Sequence, residues 1–364
     1  MHQLELTKPD GRKLTLYSRQ PIDPALKAPS PFADPLNAAP HLRWHPLRGE
    51  WVTYAAYRQG RTFLPPPEYN PLATTVREDN PTEVPAGAWD VAVFDNRFPS
   101  LGLPAEPGPP PPGMIVPTAP AAGHCEVVVF DQNPQGALAR LPLDHIELLL
   151  QVWGDRTERL GARADIQYVL PFENRGAEVG VTLHHPHGQI YAYPVVPPVP
   201  ARMQQVAAAH HAEHGKGPLE MMIDAERREG ARMLYAGEHA VAFVPVCARY
   251  PYEVWVAPIR NVPAFAQLQP AERADLARAL KTVLLKYDGL WDRPLPYLMA
   301  WYQAPTDGQP HPEMHLHAQF YPPYRTRDRL KYLAGTEIAA GLFAMDALPE
   351  EKAKELQQVE VTLS

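Results

Sequence analysis

The sequence predicts an α+β fold: a largely antiparallel sheet with packed helices, assembled from two copies of one strand–helix–strand–strand unit. Three observations carry this reading. The apolar stretch Glu126-Val127-Val128-Val129-Phe130 has a counterpart in Glu253-Val254-Trp255-Val256-Ala257. Each is followed by an amphipathic helical pattern and a further strand, and each unit closes on His-x-His-x-Gln, at His185 to Gln189 and at His315 to Gln319. From the first glutamate to the first histidine of that motif is 59 positions in one copy and 62 in the other. Shared order, spacing and closing motif mark an internal duplication.

Taken in order, residues 1–41 read as an irregular N-terminal arm with one possible hairpin at Pro9-Asp10-Gly11. From Leu42 the text LRWHPLRGEWVTYA alternates as a strand does. Trp89 to Phe94 is another strand, leading into Asp95-Asn96-Arg97-Phe98-Pro99. A proline-rich surface loop follows from about 104 to 123, where each proline fixes φ and removes a donor. The helix of the first copy runs from Pro142 to Ala162, with Ile146, Leu149, Leu150, Trp153 and Leu160 on one face, and Ile166 to Phe172 is the strand after it. The helix of the second copy runs from Pro270 to Tyr287, with Leu276, Leu280, Val283, Leu284 and Tyr287 as its stripe, and strand Pro296 to Tyr302 follows. From Thr326 the chain reads as mostly helical, with a break near Gly335. The division is therefore an arm (1–41), a first half carrying the site (42–200) and a second, degenerate half (201–364).

Composition narrows the function. With 364 residues and 45% hydrophobic residues the chain supports a sizeable core, and its net charge of −7 argues against a general nucleic-acid binder. A small anionic ligand held by a few arginines stays possible. No apolar run approaches the length of a bilayer span, and the N-terminus lacks a signal-peptide pattern, so a cytoplasmic protein without a membrane partner is expected. The two cysteines, Cys125 and Cys247, make neither a disulfide framework nor a CxxC zinc pair. The 45 prolines carry no functional information, whereas several of the 15 histidines fall into two tight clusters.

The first cluster is His185-Pro186-His187-Gly188-Gln189. In a strand, His185, His187 and Gln189 share a face at steps of about 6.6–6.8 Å. Pro186 cannot donate to a ladder, which places the stretch at a sheet edge or a strand start. Gly188 leaves room for a ligand to approach the backbone. A neutral imidazole is a competent nucleophile near pH 7, and attack on an α-phosphorus gives a phosphoramidate that a second acceptor can resolve. By itself the motif fits a structural histidine, a metal-binding tract or a loop equally well. Its setting favours catalysis: Glu173-Asn174-Arg175-Gly176, Gly180 and Thr182 bring polar and small groups to the same edge.

Phe172-Glu173-Asn174-Arg175-Gly176 followed by His185-Pro186-His187-Gly188-Gln189-Ile190 resembles the signature of the galactose-1-phosphate uridylyltransferase family, within the histidine-triad superfamily. Arg43-Trp44-His45-Pro46-Leu47 and His317-Ala318-Gln319-Phe320-Tyr321-Pro322-Pro323 are similar to it as well, and the matches run in order from about 42 to 340. The resemblance implies two histidine-triad-like halves and a nucleotidyl transferase acting on UDP-glucose and a hexose 1-phosphate, galactose 1-phosphate above all. His187 would become nucleotidylated, the backbone carbonyl of His185 would hold its Nδ1 proton, and Gln189 would hydrogen-bond the transferred phosphoryl group. Thr182 would contact the diphosphate, with Asn174 beside it, and Gly180 is a further substrate-binding candidate. Arg58 and Arg61 would bind phosphate, and Asn96 would lie near the nucleoside. Lys331, Gly335 and Glu337 would reach across a homodimer to the sugar phosphate. Read alone, the two arginines and Lys331 are ordinary surface residues. His315-Leu316-His317-Ala318-Gln319 reads as the degenerate copy, structural rather than catalytic.

The chain departs from its relatives at their metals. Many hold zinc through a CxxC pair and two histidines, one of which corresponds to His185. Here the cysteine region reads Glu68-Tyr69-Asn70-Pro71-Leu72-Ala73 and the other histidine position falls in Asp131-Gln132-Asn133-Pro134. A second, iron-type site in some relatives retains only His317, since Tyr302 and Gln319 stand at two of the histidine positions. No metal and no cofactor is expected. Thr336 and Phe343 stand where an aromatic residue and a glutamine are common, which weakens the case for galactose in particular. The rivals are an ADP-sugar or dinucleotide phosphorylase or adenylyltransferase and, from another class, a non-catalytic nucleotide-sugar binding protein. A triad hydrolase fits less well, because Gln189 stands where it would carry a third histidine.

Overall fold

A computed structural model of the chain describes residues 1–36, 39–60, 69–102, 108 and 116–363. In chain order the strands are β1 His2–Thr7, β2 Lys13–Ser18, β3 His41–His45, β4 Glu50–Tyr54, β5 Val91–Asp95, β6 Thr118–Pro120, β7 His124–Val129, β8 Tyr168–Arg175 and β9 His187–Tyr193. They continue as β10 Met233–Ala236, β11 Ala240–Phe243, β12 Val254–Pro258, β13 Tyr297–Tyr302, β14 His317–Tyr321, β15 Tyr324–Thr326 and β16 Arg329–Leu330. The α-helices are α1 Leu143–Gly161, α2 Pro198–His214, α3 Pro218–Glu229, α4 Pro270–Gly289 and α5 Pro349–Gln357.

Eleven strands form one sheet in the order β1-β2-β5-β7-β9-β8-β13-β14-β12-β11-β10. Every neighbouring pair in it is antiparallel. The duplication is visible in this order. Outward from the central seam between β8 and β13, one half runs β9, β7, β5 and the other β14, β12, β11, so equivalent strands sit at equal distances from it. Helices α1 and α4 lie side by side over one face, which they cover with the apolar stripes read from the sequence. Trp153 of α1 meets Trp301 of β13 at 5.8 Å between ring centroids, tying the helix layer to the sheet. Helix α4 starts where Pro270 removes a donor that would be unpaired anyway and the Glu272 carboxylate accepts the Gln269 N–H at 2.8 Å. The other face of the sheet is left for function.

Several expectations change. The N-terminal arm is not irregular: its hairpin at Pro9-Asp10-Gly11 forms β1 and β2, which extend the main sheet next to β5. Alternation in KLTLYS identifies β2, and the arm reading overlooked it. The segment from Leu42 is a hairpin, β3 and β4, in a separate small sheet with β6, which itself lies inside the expected proline-rich loop. The chain from Thr326 is mostly non-helical: β15 and β16, one π-helical turn at Thr336–Ala340 and the short α5. Its helix-forming residues lack a long apolar stripe to bury, so propensity alone does not hold a helix there.

The seam between the halves holds a buried carboxyl. Glu173 of β8 stands opposite Met299 of β13 and accepts a hydrogen bond from Tyr297 Oη at 2.9 Å. Burial pushes its pKa up, against the opposing pull of Arg175, to about 7. In the unfolded chain the group ionises near 4.5, so the folded state keeps a proton that the unfolded state has lost. The stability this confers is complete below the unfolded value and disappears as the pH rises through about 7. The change is worth about 3 kcal/mol. Glu173→Gln keeps an acceptor for Tyr297 and is expected to flatten the decline in Tm over this interval. Equal declines in parent and variant would show that another group titrates there.

Candidate active site

The sequence His185 to Tyr191 becomes a strand start. β9 begins at His187, directly after Pro186, whose carbonyl still accepts the Phe130 N–H at 3.1 Å. The edge alternative does not hold, because β9 is paired on both sides, with β7 and β8. Along β9, His187, Gln189 and Tyr191 face a cavity of about 300 Å³ on the side of the sheet away from α1 and α4. Gly188 faces the opposite way. A Cβ there would lie 2.7 Å from the Phe130 ring and 2.8 Å from the Phe172 carbonyl oxygen, so glycine is required by core packing rather than by ligand approach.

His187 is held by the chain two residues before it. Its Nδ1 donates to the His185 carbonyl oxygen at 2.7 Å, which leaves Nε2 as the lone-pair nitrogen on the cavity side. Burial holds the His187 pKa below the ordinary histidine range, only partly offset by that hydrogen bond. The ring is therefore neutral at pH 7. His185 is buried, and burial lowers its pKa too. Its ring does not face the cavity as a second nucleophile would: Nε2 donates to the Asp131 carbonyl oxygen at 2.7 Å and Nδ1 faces the Asn70 side chain at 3.0 Å.

The remaining cavity wall gathers most of the residues expected from sequence. Asn174, Gly180 and Thr182 line it from β8 and the turn after it. Asn174 Nδ2 donates to the Val179 carbonyl oxygen at 3.3 Å, and its Oδ1 is buried without a partner among the described residues. Gly180 has φ +83°, a left-handed conformation that admits glycine without strain and turns the chain back over the site. Arg58 is fixed by the Phe98 carbonyl oxygen at 2.9 Å and Tyr191 Oη at 3.3 Å. Asn96 closes a turn by accepting the Phe98 N–H at 2.8 Å. Arg61 lies outside the described residues. Lys331, Gly335 and Glu337 do not line this cavity. Lys331 and Glu337 pair locally, with Lys331 Nζ 3.5 Å from Glu337 and Glu337 accepting the Ala334 and Ala344 N–H groups.

Sequence reasoning missed the opposite wall. Phe32, Phe94, Phe98 and Arg97 form it, with the Arg97 guanidinium 4.4 Å from the Phe32 ring centroid. Phe32 comes from the end of the supposed arm. Beneath it lies a buried charge network: Lys8 and Arg12 reach Glu83 at 2.6 and 2.8 Å, and Arg12 reaches Asp10 at 2.7 Å. The Asp-Asn-Arg-Phe run was the one available signal, because a polar run after a strand marks a place where the chain leaves the sheet.

The second copy repeats the backbone device without the cavity. His317 Nδ1 donates to the His315 carbonyl oxygen at 2.7 Å, and His315 Nε2 to the Pro258 carbonyl oxygen at 2.8 Å. Here, however, His317 Nε2 is occupied by Gln319 at 2.9 Å, and the ring stacks on Tyr302 at 5.5 Å. It is closed to a substrate.

Profiles of the galactose-1-phosphate uridyl transferase family match this chain nearly end to end, the N-terminal domain over residues 32–197 and the C-terminal domain over 204–363. The galactose-1-phosphate uridylyltransferase of Thermotoga maritima is 37% identical over 331 residues, covering 88% of this chain and 99% of that protein. The rat enzyme of the same name is 32% identical over 362 residues, covering 93% and 94%. A solved uridylyltransferase structure superposes with a TM-score of 0.76 at 31% identity, covering 87% of this chain and 97% of that one. The chain belongs to the galactose-1-phosphate uridylyltransferase family.

The zinc and iron of some family members do not fit these residues. His185 has both ring nitrogens engaged, by Asn70 and by the Asp131 carbonyl, and His317 likewise, by the His315 carbonyl and Gln319. Among the described residues one cluster has metal-ligand spacing, Asp95, His124 and Glu126. Arg156 already pairs with Glu126 there. Burial would lower the His124 pKa, but the two carboxylates raise it to about 9, and its Nε2 lies 2.9 Å from Asp95.

Gly188→Ala tests the packing role of that glycine. The overlap with Phe130 and Phe172 is expected to cost about 1–3 kcal/mol of stability, read as a lower denaturation midpoint. Parent stability together with lost nucleotide binding would restore the ligand-approach expectation.

Proposed function

We propose that the protein transfers a uridylyl group between UDP-glucose and a hexose 1-phosphate, with galactose 1-phosphate the favoured acceptor, in two half-reactions through His187. The observation that carries this is the neutral His187 ring, locked through Nδ1 to the His185 carbonyl with Nε2 towards the cavity. In the first half-reaction Nε2 attacks the α-phosphorus of UDP-glucose. The P–N bond forms, the bond from that phosphorus to the bridging oxygen breaks, and glucose 1-phosphate leaves with the electron pair. In the second, a phosphate oxygen of the hexose 1-phosphate attacks the same phosphorus and His187 departs neutral. The Gln189 amide faces the same cavity and donates to the phosphoryl oxygens, stabilising charge without supplying a proton. Arg58, Thr182 and Asn174 provide polar groups for the diphosphate, and the Phe32, Phe94 and Phe98 wall provides an apolar seat for the base.

This chemistry needs no metal, since positioning and charge stabilisation come from the chain itself. Among the described residues no helix is long and apolar enough to cross a membrane, and we place the enzyme in the cytoplasm. We also propose a homodimer. Tyr332, Ile338 and Leu342 are exposed beside Lys331, Gly335 and Glu337, which have no role in their own chain's cavity. A partner surface would cover the apolar groups and bring this segment, with Lys331, to the sugar phosphate in the other subunit's cavity.

Incubation with UDP-glucose, followed by intact mass measurement, is expected to show one uridylyl adduct on His187, acid-labile and base-stable. The adduct should form equally after chelation and be absent in His187→Ala. An adenylyl adduct from ADP-glucose instead would favour the phosphorylase class, and no adduct with either would favour a binding protein. Loss of labelling on chelation would refute the metal-free mechanism.

Gln189 bears on why the site transfers rather than hydrolyses. A sugar phosphate arrives ionised, whereas water needs a base, and an amide cannot accept a proton at neutral pH. General base help is worth about 10²–10⁴-fold. Gln189→His is therefore expected to release UMP from UDP-glucose faster than the parent in the absence of acceptor, and to transfer more slowly. Release no faster than the parent's would leave Gln189 as a positioning group alone.

A further inference from the structure

The side chain of Asn70 has a hydrogen-bond pattern that fixes the state of His185. Its Oδ1 accepts the Leu72 N–H at 3.0 Å, so the group facing His185 Nδ1 at 3.0 Å is the amide nitrogen, which can only donate. His185 Nδ1 must then be the acceptor, and the ring proton lies on Nε2, where the Asp131 carbonyl oxygen accepts it at 2.7 Å. Adding a second proton would set two donors against each other at Nδ1. Rotating the ring about its axis would break both bonds. His185 is thus held neutral, in one tautomer and in one orientation. Its neighbour on the reacting side is held in the opposite tautomer, with the proton on Nδ1.

We infer that Asn70 is a positioning residue for the nucleophile, acting through His185. The His185 carbonyl that orients His187 belongs to the same residue whose ring Asn70 and Asp131 anchor. Immobilising that ring fixes the peptide at the strand start, and with it the acceptor for His187 Nδ1. Asn70 lies in the same stretch as Tyr69, Pro71 and Leu72, which line the cavity, so the clamp also joins the cavity wall to the strand that carries the nucleophile. The second copy serves as an internal comparison. It reproduces the bond from His317 to the His315 carbonyl and the bond from His315 Nε2 to a backbone carbonyl, but His315 Nδ1 is buried with no partner among the described residues. The half with a closed site lacks the contact that Asn70 makes. The clamp occupies both ring nitrogens, so it does the anchoring that a metal would do if it bound this histidine.

The inference rests on His187 being the nucleophile, and its test separates the two. Asn70→Asp keeps the size of the side chain and the acceptor for Leu72 N–H but replaces the donor at His185 Nδ1 with an acceptor. Two readouts are needed. In 15N-imidazole NMR of the parent, His185 should carry its proton on Nε2 and His187 on Nδ1. In Asn70→Asp the His185 signal should change to a doubly protonated or exchanging ring. Single-turnover labelling of His187 by UDP-glucose should slow by about 10- to 100-fold in Asn70→Ala, with the half-saturating UDP-glucose concentration close to the parent's, and should largely recover in Asn70→Asp, whose carboxylate clamps the protonated ring at both nitrogens again. A melting curve shows whether Asn70→Ala is folded, and Asn70→Leu, which keeps the bulk without the donor, replaces it if it is not. A purely structural role predicts that the folded variant without the donor labels His187 at the parent rate, and that result, or a parent His185 proton on Nδ1, would overturn the inference. A parent protein that never labels, while showing the two opposite tautomers, would instead overturn the transfer reaction and leave the clamp standing.

Discussion

The hydrogen bond from His187 Nδ1 to the His185 carbonyl oxygen is the interaction on which the rest of the site depends. It chooses the tautomer, aims Nε2 at the cavity and keeps the ring from rotating away. It exists because three facts coincide, two of them local and one long-range. Pro186 fixes φ and removes a donor between the two histidines, β9 begins at His187, and the Phe130 N–H holds the Pro186 carbonyl so that the preceding peptide is part of the sheet. The wider fold serves this arrangement. Strands β7 and β8 flank β9 on both sides, and α1 with α4 seals the far face, so the start of β9 sits on a rigid support.

Duplication separates what the motif does from what its surroundings do. Both copies make the same backbone-to-imidazole bond at 2.7 Å. They diverge at the other nitrogen. In the first copy Nε2 looks into a cavity shared with Gln189, whereas in the second Gln319 reaches back onto Nε2 and Tyr302 covers the ring. An imidazole whose lone pair is already a hydrogen-bond acceptor is a poor nucleophile. Chemistry therefore resides in the emptiness around one histidine as much as in the histidine itself.

The N-terminal hairpin shows how a chain can extend a catalytic fold at its edge. It lies outside the segment matched by the family profile, yet Lys8, Asp10 and Arg12 are buried against Glu83 beneath the Phe32 and Arg97 wall. Buried ion pairs are costly to desolvate and contribute little net stability unless fully hydrogen-bonded. Here Arg12 also donates to the Asp95 carbonyl oxygen, and Ser30 to Asp10. The network is satisfied, and its result is a fixed register between the hairpin and the cavity wall.

What the sequence determined by itself was everything written in local periodicity and spacing. The apolar stripes of α1 and α4, the strands flanking them and the paired His-x-His-x-Gln motifs all follow from residues close together in the chain, and they suffice for the α+β duplication and to single out His187 as a candidate. Asn174, Gly180 and Thr182 were legible because they lie on β8 and in the connection that leads directly into the motif. Tertiary structure decided the rest, because it depends on residues distant in sequence meeting in space. Whether β9 is an edge, which side Gly188 faces, that Phe32 walls the cavity and that Asn70 reaches His185 across 115 positions are consequences of sheet order. Sheet order is set by how the two halves bury their helix-covered face together, and no window of sequence contains that packing.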